Sequence, residues 1–186
     1  MTTITTNRAK TYDMVCIAIF AVLMAVCSWI SIPTSVPFTL QTFGLFLTVG
    51  VLGGKRGTLA ILIFLLLGAV GIPVFSGFTG GLGIIFSTTG GYLIGFLFSG
   101  LTMWALERLL GRKTWALAFA MVLAMAVYFA FGTVWFMIVY AKNVGAIGLT
   151  AVLGWCVIPF VIPDILKMIL ALMLSGRLRR IIEKQS

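Results

Sequence analysis

Asp164 and Lys167 stand three residues apart in an apolar stretch, 147–176, that contains no other charge. Residues at that spacing share one face of a helix, so an acid and a base are presented together. A charged side chain inside a bilayer is costly, and it is kept where it faces a protein interior or a watery cavity and meets a substrate or an ion. The carboxylate accepts hydrogen bonds and the ammonium donates them, which suits a small ligand carrying both kinds of polar group. The same pair can also be structural, neutralising itself and tying its helix to a neighbour.

The elements that must position this pair are membrane helices. Of 186 residues, 61% are hydrophobic and 9% charged, and one soluble core cannot hide that much apolar surface. No polar stretch between the apolar blocks is long enough for a soluble catalytic domain. The sequence therefore predicts an all-α, polytopic membrane protein, a single integral membrane domain over 1–186 with about 12–180 in the helical bundle. Hydropathy predicts six transmembrane helices, at 12–32, 39–53, 58–72, 90–110, 115–140 and 149–176. The second and third are short. A helix of about 15 residues covers about 22 Å, less than the hydrocarbon thickness, so ordered loops buried by protein must complete them. Arg8 and Lys10 before an apolar run have the look of a secretory signal, but the run continues to Ile30 and Val26 is too large for a processing site before Cys27. The first span is therefore expected to be retained.

The net charge of +9 reads as orientation in the bilayer, because the basic residues sit in short clusters between apolar blocks rather than along one polar face for nucleic acid. Arg8, Lys10, Lys55, Arg56, Arg108, Arg112, Lys113, Arg177, Arg179, Arg180 and Lys184 all fall on one side of the predicted spans, whereas the opposite connections carry only Lys142. The positive-inside rule then places both termini in the cytoplasm of a multi-pass protein of the cell membrane. With that topology Asp164 and Lys167 lie in the outer half or middle of the sixth span, and a cavity reaching them opens outward. Pro159 and Pro163 are expected to break or kink this span. If Pro163 occupies a first helical turn, Asp164 sits near a helix N-terminus, whose dipole favours the ionised carboxylate.

Two loops carry polar groups toward the same side. The segment 32–43, IPTSVPFTLQTF, combines two prolines with Thr39, Gln41 and Thr42; it reads either as a lid over a pocket or as a rigid turn that caps the second span. The segment 71–96 intersperses glycines with Phe75, Phe78, Phe86 and Tyr92 and has no charge. Glycines let backbone approach a ligand closely while aromatics supply flat apolar walls; the alternative is a loop that dips back to seal the bundle. Ala21 and Ala25 form a small-xxx-small pair, which serves either an internal helix contact or a docking face for another membrane protein.

Other chemistry is excluded by what is absent. Cys16, Cys27 and Cys156 are isolated and there is no histidine, so zinc and redox sites have no ligand set and neither metal nor cofactor is expected. The segment 53–58, GGKRGT, only superficially resembles a phosphate loop: Val49 replaces the first glycine and Arg56 follows Lys55 where Ser or Thr is required, so ATP hydrolysis is not expected. An intramembrane enzyme using Asp164 as acid or base lacks a second carboxylate or a nucleophile nearby.

The runs VPFTLQTFG (36–44), GIPVF followed by GG and TGGYLIGF (71–96), and PDILK (163–167) occur in that order. Together they resemble the BioY family, the biotin-binding S component of energy-coupling-factor vitamin transporters, and the resemblance spans about 12–180. It implies a six-helix membrane protein, not an enzyme, that captures biotin from outside with high affinity and mediates its uptake with a transmembrane coupling protein and two cytoplasmic ATPases. It further implies Asp164 and Lys167 as the main polar contacts, with Thr39, Gln41, Thr79, Gly80, Gly81 and Tyr92 contributed by the matching loops and Phe75 and Tyr92 against the ring system. Ala21 and Ala25 match the family's AxxxA pattern for docking the coupling protein. One position departs from many relatives: Thr88 stands where they have proline. The same architecture with another vitamin, thiamine or riboflavin, is the alternative.

Overall fold

The computed structural model describes residues 2–32 and 38–183, with side chains over 10–32 and 38–181. Pro33 and Pro37 of the expected lid, and the side chains of Arg8 and Lys184 among the basic residues, lie outside the described residues. The chain folds as α1 (Thr2–Trp29), a two-stranded antiparallel ribbon of β1 (Ser31–Ile32) and β2 (Phe38–Thr39), then α2 (Gln41–Leu52), α3 (Gly54–Ala69), the short α4 (Leu82–Ile85), α5 (Gly90–Leu110), α6 (Thr114–Asn143), α7 (Leu149–Cys156) and α8 (Ile158–Glu183). The described helices that are long and apolar enough to cross a membrane are four, in α1, α5, α6 and α8.

α2 is the hub. Its sequence is apolar on every face, and all of its residues except Phe43 are buried, as expected for a helix enclosed by others. It packs against α1, α3, α5 and α8. Twelve residues span about 18 Å, so α2 does not reach across a bilayer by itself, as the sequence implies. Gly53 turns the chain from α2 into α3 at φ 82, a left-handed conformation that a side chain would strain. α5 and α6 pair along their length, and α8 lies on α2. Large apolar side chains such as Met14, Ile19, Val22, Phe119, Val134, Ile162 and Met173 point outward, an apolar belt far larger than a soluble monomer exposes. The molecule is a multi-pass membrane protein.

The expected break of the sixth predicted span is present, whereas the helix N-terminus considered for Asp164 is not. The sixth predicted span is two helices, α7 and α8, parted at Val157. Pro159 takes the second position of α8 and Pro163 lies inside that helix, so Asp164 is a full turn beyond the first one. Its charge is therefore not held by a helix N-terminus, because the dipole's effect fades within that turn. Ala21 and Ala25 are 2% and 4% exposed and belong to the main core, where their small size lets α1 lie close to α2 and α3. This is the internal helix contact that the small-xxx-small spacing allows, while Met14, Ile19, Val22 and Val26 take the outward face of α1.

Phe46 of α2 is fully buried, and its removal leaves a cavity that the surrounding helices close only in part. Phe46→Ala is expected to destabilise the protein by about 3–5 kcal/mol, read as a lowered unfolding midpoint in detergent. An unchanged midpoint would show that α2 is not the packed centre.

Candidate functional site

The site forms where the starts of α2 and α5, the ribbon, the 70–89 connection and the α7–α8 junction converge. A cavity of about 310 Å³ is lined there by Thr39, Gln41, Thr42, Phe75, Thr79, Tyr92, Phe96, Tyr128, Phe129, Phe160, Asp164 and Lys167, among others. That volume is at the lower end of the range of about 300–1,000 Å³ found for ligand pockets. Phe75, Tyr92, Phe96, Tyr128, Phe129 and Phe160 supply aromatic walls, with hydroxyl, amide and charged groups set among them, a combination that fixes one orientation of a small molecule.

Asp164 is 3% and Lys167 6% exposed. Lys167 Nζ donates to Asp164 Oδ1 at 2.8 Å, the contact that i, i+3 spacing on a helix allows. Thr42 of α2 donates its hydroxyl to the same oxygen at 2.9 Å, and Tyr128 of α6 donates its phenolic hydroxyl to Oδ2. A carboxylate offers about four acceptor positions, and three are filled, so one remains, on Oδ2. Lys167 also donates to the Thr39 carbonyl at 2.6 Å and lies over the Phe38 ring, 4.4 Å from its centre. The lysine thus fastens the ribbon to α8, and Phe38 in turn stacks on Phe160 at 5.5 Å.

The 70–89 connection is pinned rather than loose. Trp29 Nε1 donates to the Pro73 carbonyl at 2.8 Å, Trp29 stacks on Phe78 at 5.1 Å, and Trp135 Nε1 donates to the Ser87 carbonyl at 2.9 Å. A bridge between Phe75 and Thr79 closes its tip and aims Phe75 into the core, 1% exposed. Thr88 occupies a turn between α4 and α5, next to Ser87, whose hydroxyl lies 3.3 Å from that of Thr89.

Of the residues expected from the sequence, Thr39, Gln41, Phe75, Thr79, Tyr92, Asp164 and Lys167 are brought together around the cavity. Gly80 and Gly81 are not among its lining residues. Their part is to shape the loop: a Cβ on Gly80 would come 2.4 Å from the Ile72 carbonyl oxygen, and Gly81, at φ 98, donates to the Gly68 carbonyl at 2.6 Å. Thr42 and Tyr128 were missed as carboxylate partners. The signal for Tyr128 was a lone phenol in the middle of an apolar span, where a hydroxyl has to find a partner. Among the described residues, the Gln41 side-chain nitrogen is buried without a hydrogen-bond partner. An unmet buried donor costs about 1–3 kcal/mol, so this amide favours a ligand that brings an acceptor.

The BioY family model matches residues 2–184. The chain belongs to the BioY family. Its similarity to the biotin transporter BioY of Thermotoga maritima is 37% identity over 164 residues, 88% of this chain and 93% of that protein. The probable biotin transporter BioY of Pyrococcus horikoshii is 37% identical over 171 residues, 91% of this chain and 98% of its own length. BioY2 of Lactococcus lactis, also a biotin transporter, is 36% identical over 166 residues, 88% of each chain. In three dimensions this BioY chain resembles a crystal structure of the S-component for biotin from an ECF-type ABC transporter, with a TM-score of 0.79, 26% identity, and 97% and 95% of the two chains covered.

Removing one partner of a buried ion pair strands the other, at about 3–5 kcal/mol. Asp164→Ala is therefore expected to lose that much unfolding stability, and adding Lys167→Met is expected to restore part of it. Chemical denaturation in detergent measures both; equal effects of the single and double variants would show that the two charges do not depend on one another.

Proposed function

We propose that this chain is a biotin-binding membrane subunit of an uptake system, capturing the vitamin in the cavity that Asp164 and Lys167 line. The observation that carries the reading is the polar inventory of that cavity. It has one free acceptor position on Asp164 and an unpartnered amide on Gln41, among aromatic walls. Biotin's ureido ring offers two N–H donors and a carbonyl acceptor, its thioether ring and aliphatic chain are apolar, and the chain ends in a carboxylate. Asp164 accepts a ureido N–H; Gln41 and the remaining donor of Lys167 meet its oxygens, and Phe75 and Tyr92 flank the ring system. The names of the BioY relatives and of the similar S-component support biotin over another vitamin.

This chain, a single integral membrane domain, is read as six spans, with α2 and α3 completed by the loops around the cavity and α7 and α8 together making the sixth. Both termini lie in the cytoplasm of the cell membrane. The cavity then opens outward, and the basic end of the bundle faces a transmembrane coupling protein and two cytoplasmic ATPases that drive release inward. The clustering of Arg108, Arg112, Lys113, Arg177, Arg179 and Arg180 away from the cavity supports this orientation.

Isothermal titration of the detergent-purified protein with biotin tests the reading, with thiamine and riboflavin as competitors expected to displace nothing. Asp164→Asn keeps the shape and most hydrogen bonds of the carboxylate, so it is expected to fold and to bind biotin at least about tenfold more weakly, a loss of about 1.4 kcal/mol or more. Unchanged affinity would remove Asp164 from the site. For the topology, Ser76→Cys is expected to react with an impermeant maleimide on intact cells and Lys113→Cys only after permeabilisation; the opposite pattern would invert the orientation.

A further inference from the structure

A second cavity, of about 330 Å³, lies at the other end of the bundle and is lined by Lys55, Arg56, Trp104, Glu107, Arg108 and Arg112 together with Leu52 and Gly54. Four cations surround one carboxylate. Glu107 is already engaged, accepting from Arg112 and from the backbone N–H of Gly54, and Arg56 pairs with Asp13 at 2.9 Å. Arg108 lies over the Trp104 ring, 4.7 Å from its centre. Among the described residues neither Arg108 nor the exposed Lys55 has a carboxylate partner. The cavity therefore carries positive charge that the protein does not neutralise.

The backbone adds to this. Gly54 opens α3, a helix of 16 residues, and the first turn of a helix presents N–H groups with no partner inside it. Glu107 takes the one on Gly54 and the Gly53 carbonyl the one on Gly57, which leaves those of Lys55 and Arg56 at the helix start. The glycine is required for the arrangement: a Cβ at Gly54 would come 2.4 Å from Trp104 Cα. Because α3 starts in direct contact with α5, Lys55 and Arg56 stand beside Arg108 and Arg112. The GGKRGT segment, which lacks the residues for ATP hydrolysis, thus still builds an anion-binding corner of helix start and cations.

The surroundings identify the source of the anion. One and two turns along α3 from Lys55, toward the membrane interior, Leu59 and Ile63 are 41% and 38% exposed; along α5 from Trp104 in the same direction, Leu101 and Phe98 are 41% and 40% exposed. Two apolar lanes therefore run from the cationic cavity into the bilayer-facing surface, and Trp104 stands at their head, the level where tryptophan prefers to lie. A soluble phosphate would use only the head of this arrangement. A phospholipid would use all of it, with its phosphate oxygens on Lys55, Arg108 and the helix start and its acyl chains on the lanes.

We propose that this cavity is a binding site for the headgroup phosphate of an anionic phospholipid. The test follows lipid retained on the intact, detergent-purified protein by native mass spectrometry, with phosphatidylglycerol, phosphatidylcholine and inorganic phosphate as probes. Phosphatidylglycerol is expected to be retained about tenfold more than phosphatidylcholine, and Lys55→Gln combined with Arg108→Gln to cut that retention about tenfold while a cooperative unfolding transition persists. Equal retention of the two lipids, or equal retention by the wild type and the variant, would overturn the proposal. Millimolar inorganic phosphate displacing the lipid completely would assign the site to soluble phosphate instead. Where the double variant loses its unfolding transition, Lys55→Gln alone is used with the same expected direction.

Discussion

The carboxylate of Asp164 has to be satisfied in a place where water cannot do it. Three elements are arranged around that requirement: α8 supplies the acid and its own lysine, α2 supplies Thr42 and α6 supplies Tyr128. Lys167 reaches the acid along its own helix, whereas Thr42 and Tyr128 reach it only because α2 and α6 pack against α8. A pair of this kind adds little net stability compared with well-packed apolar residues of the same volume. What it secures is a single arrangement of three helices, with one acceptor position left over for a guest.

Lys167 carries that arrangement to the mouth of the cavity. Through the Thr39 carbonyl and the Phe38 ring it holds the ribbon against α8. The opposite end of the bundle is built on a different principle. There Glu107 fixes the start of α3 against α5, and cations outnumber acids in a cavity that meets the lipid-facing surface. The cavity around Asp164 and the cationic cavity thereby lie at separate ends of the bundle, joined by the buried α2.

Much of this was legible in the residues. The apolar blocks marked the helices, and the isolation of Asp164 and Lys167 in an uncharged stretch marked the centre of the cavity, because charge in hydrocarbon is too costly to be incidental. Thr39, Gln41, Phe75, Thr79 and Tyr92 of the two loops were named from the resemblance of those loops to the family, and all five line the cavity. Ala21 and Ala25 lie in the core, the internal contact that their spacing allowed beside a docking face, because spacing tells that a helix face is small and not which neighbour covers it. The helix break at Val157 was blurred by two nearby prolines, either of which can start a helix. Thr42 and Tyr128 became partners of Asp164 only through packing between segments far apart in the chain, and Gly80 and Gly81 turned out to shape backbone because their conformation is set by contacts to Ile72 and Gly68.

A structure of the protein with biotin bound, solved by crystallography or electron cryomicroscopy, bears most directly on the central claim. The account predicts the ureido ring within hydrogen-bonding distance of Asp164, the Gln41 amide turned to a ligand oxygen, and the contacts of Asp164 to Thr42 and Tyr128 intact. Biotin lodged elsewhere, with the acid and the lysine still paired only to one another and to protein, would contradict it.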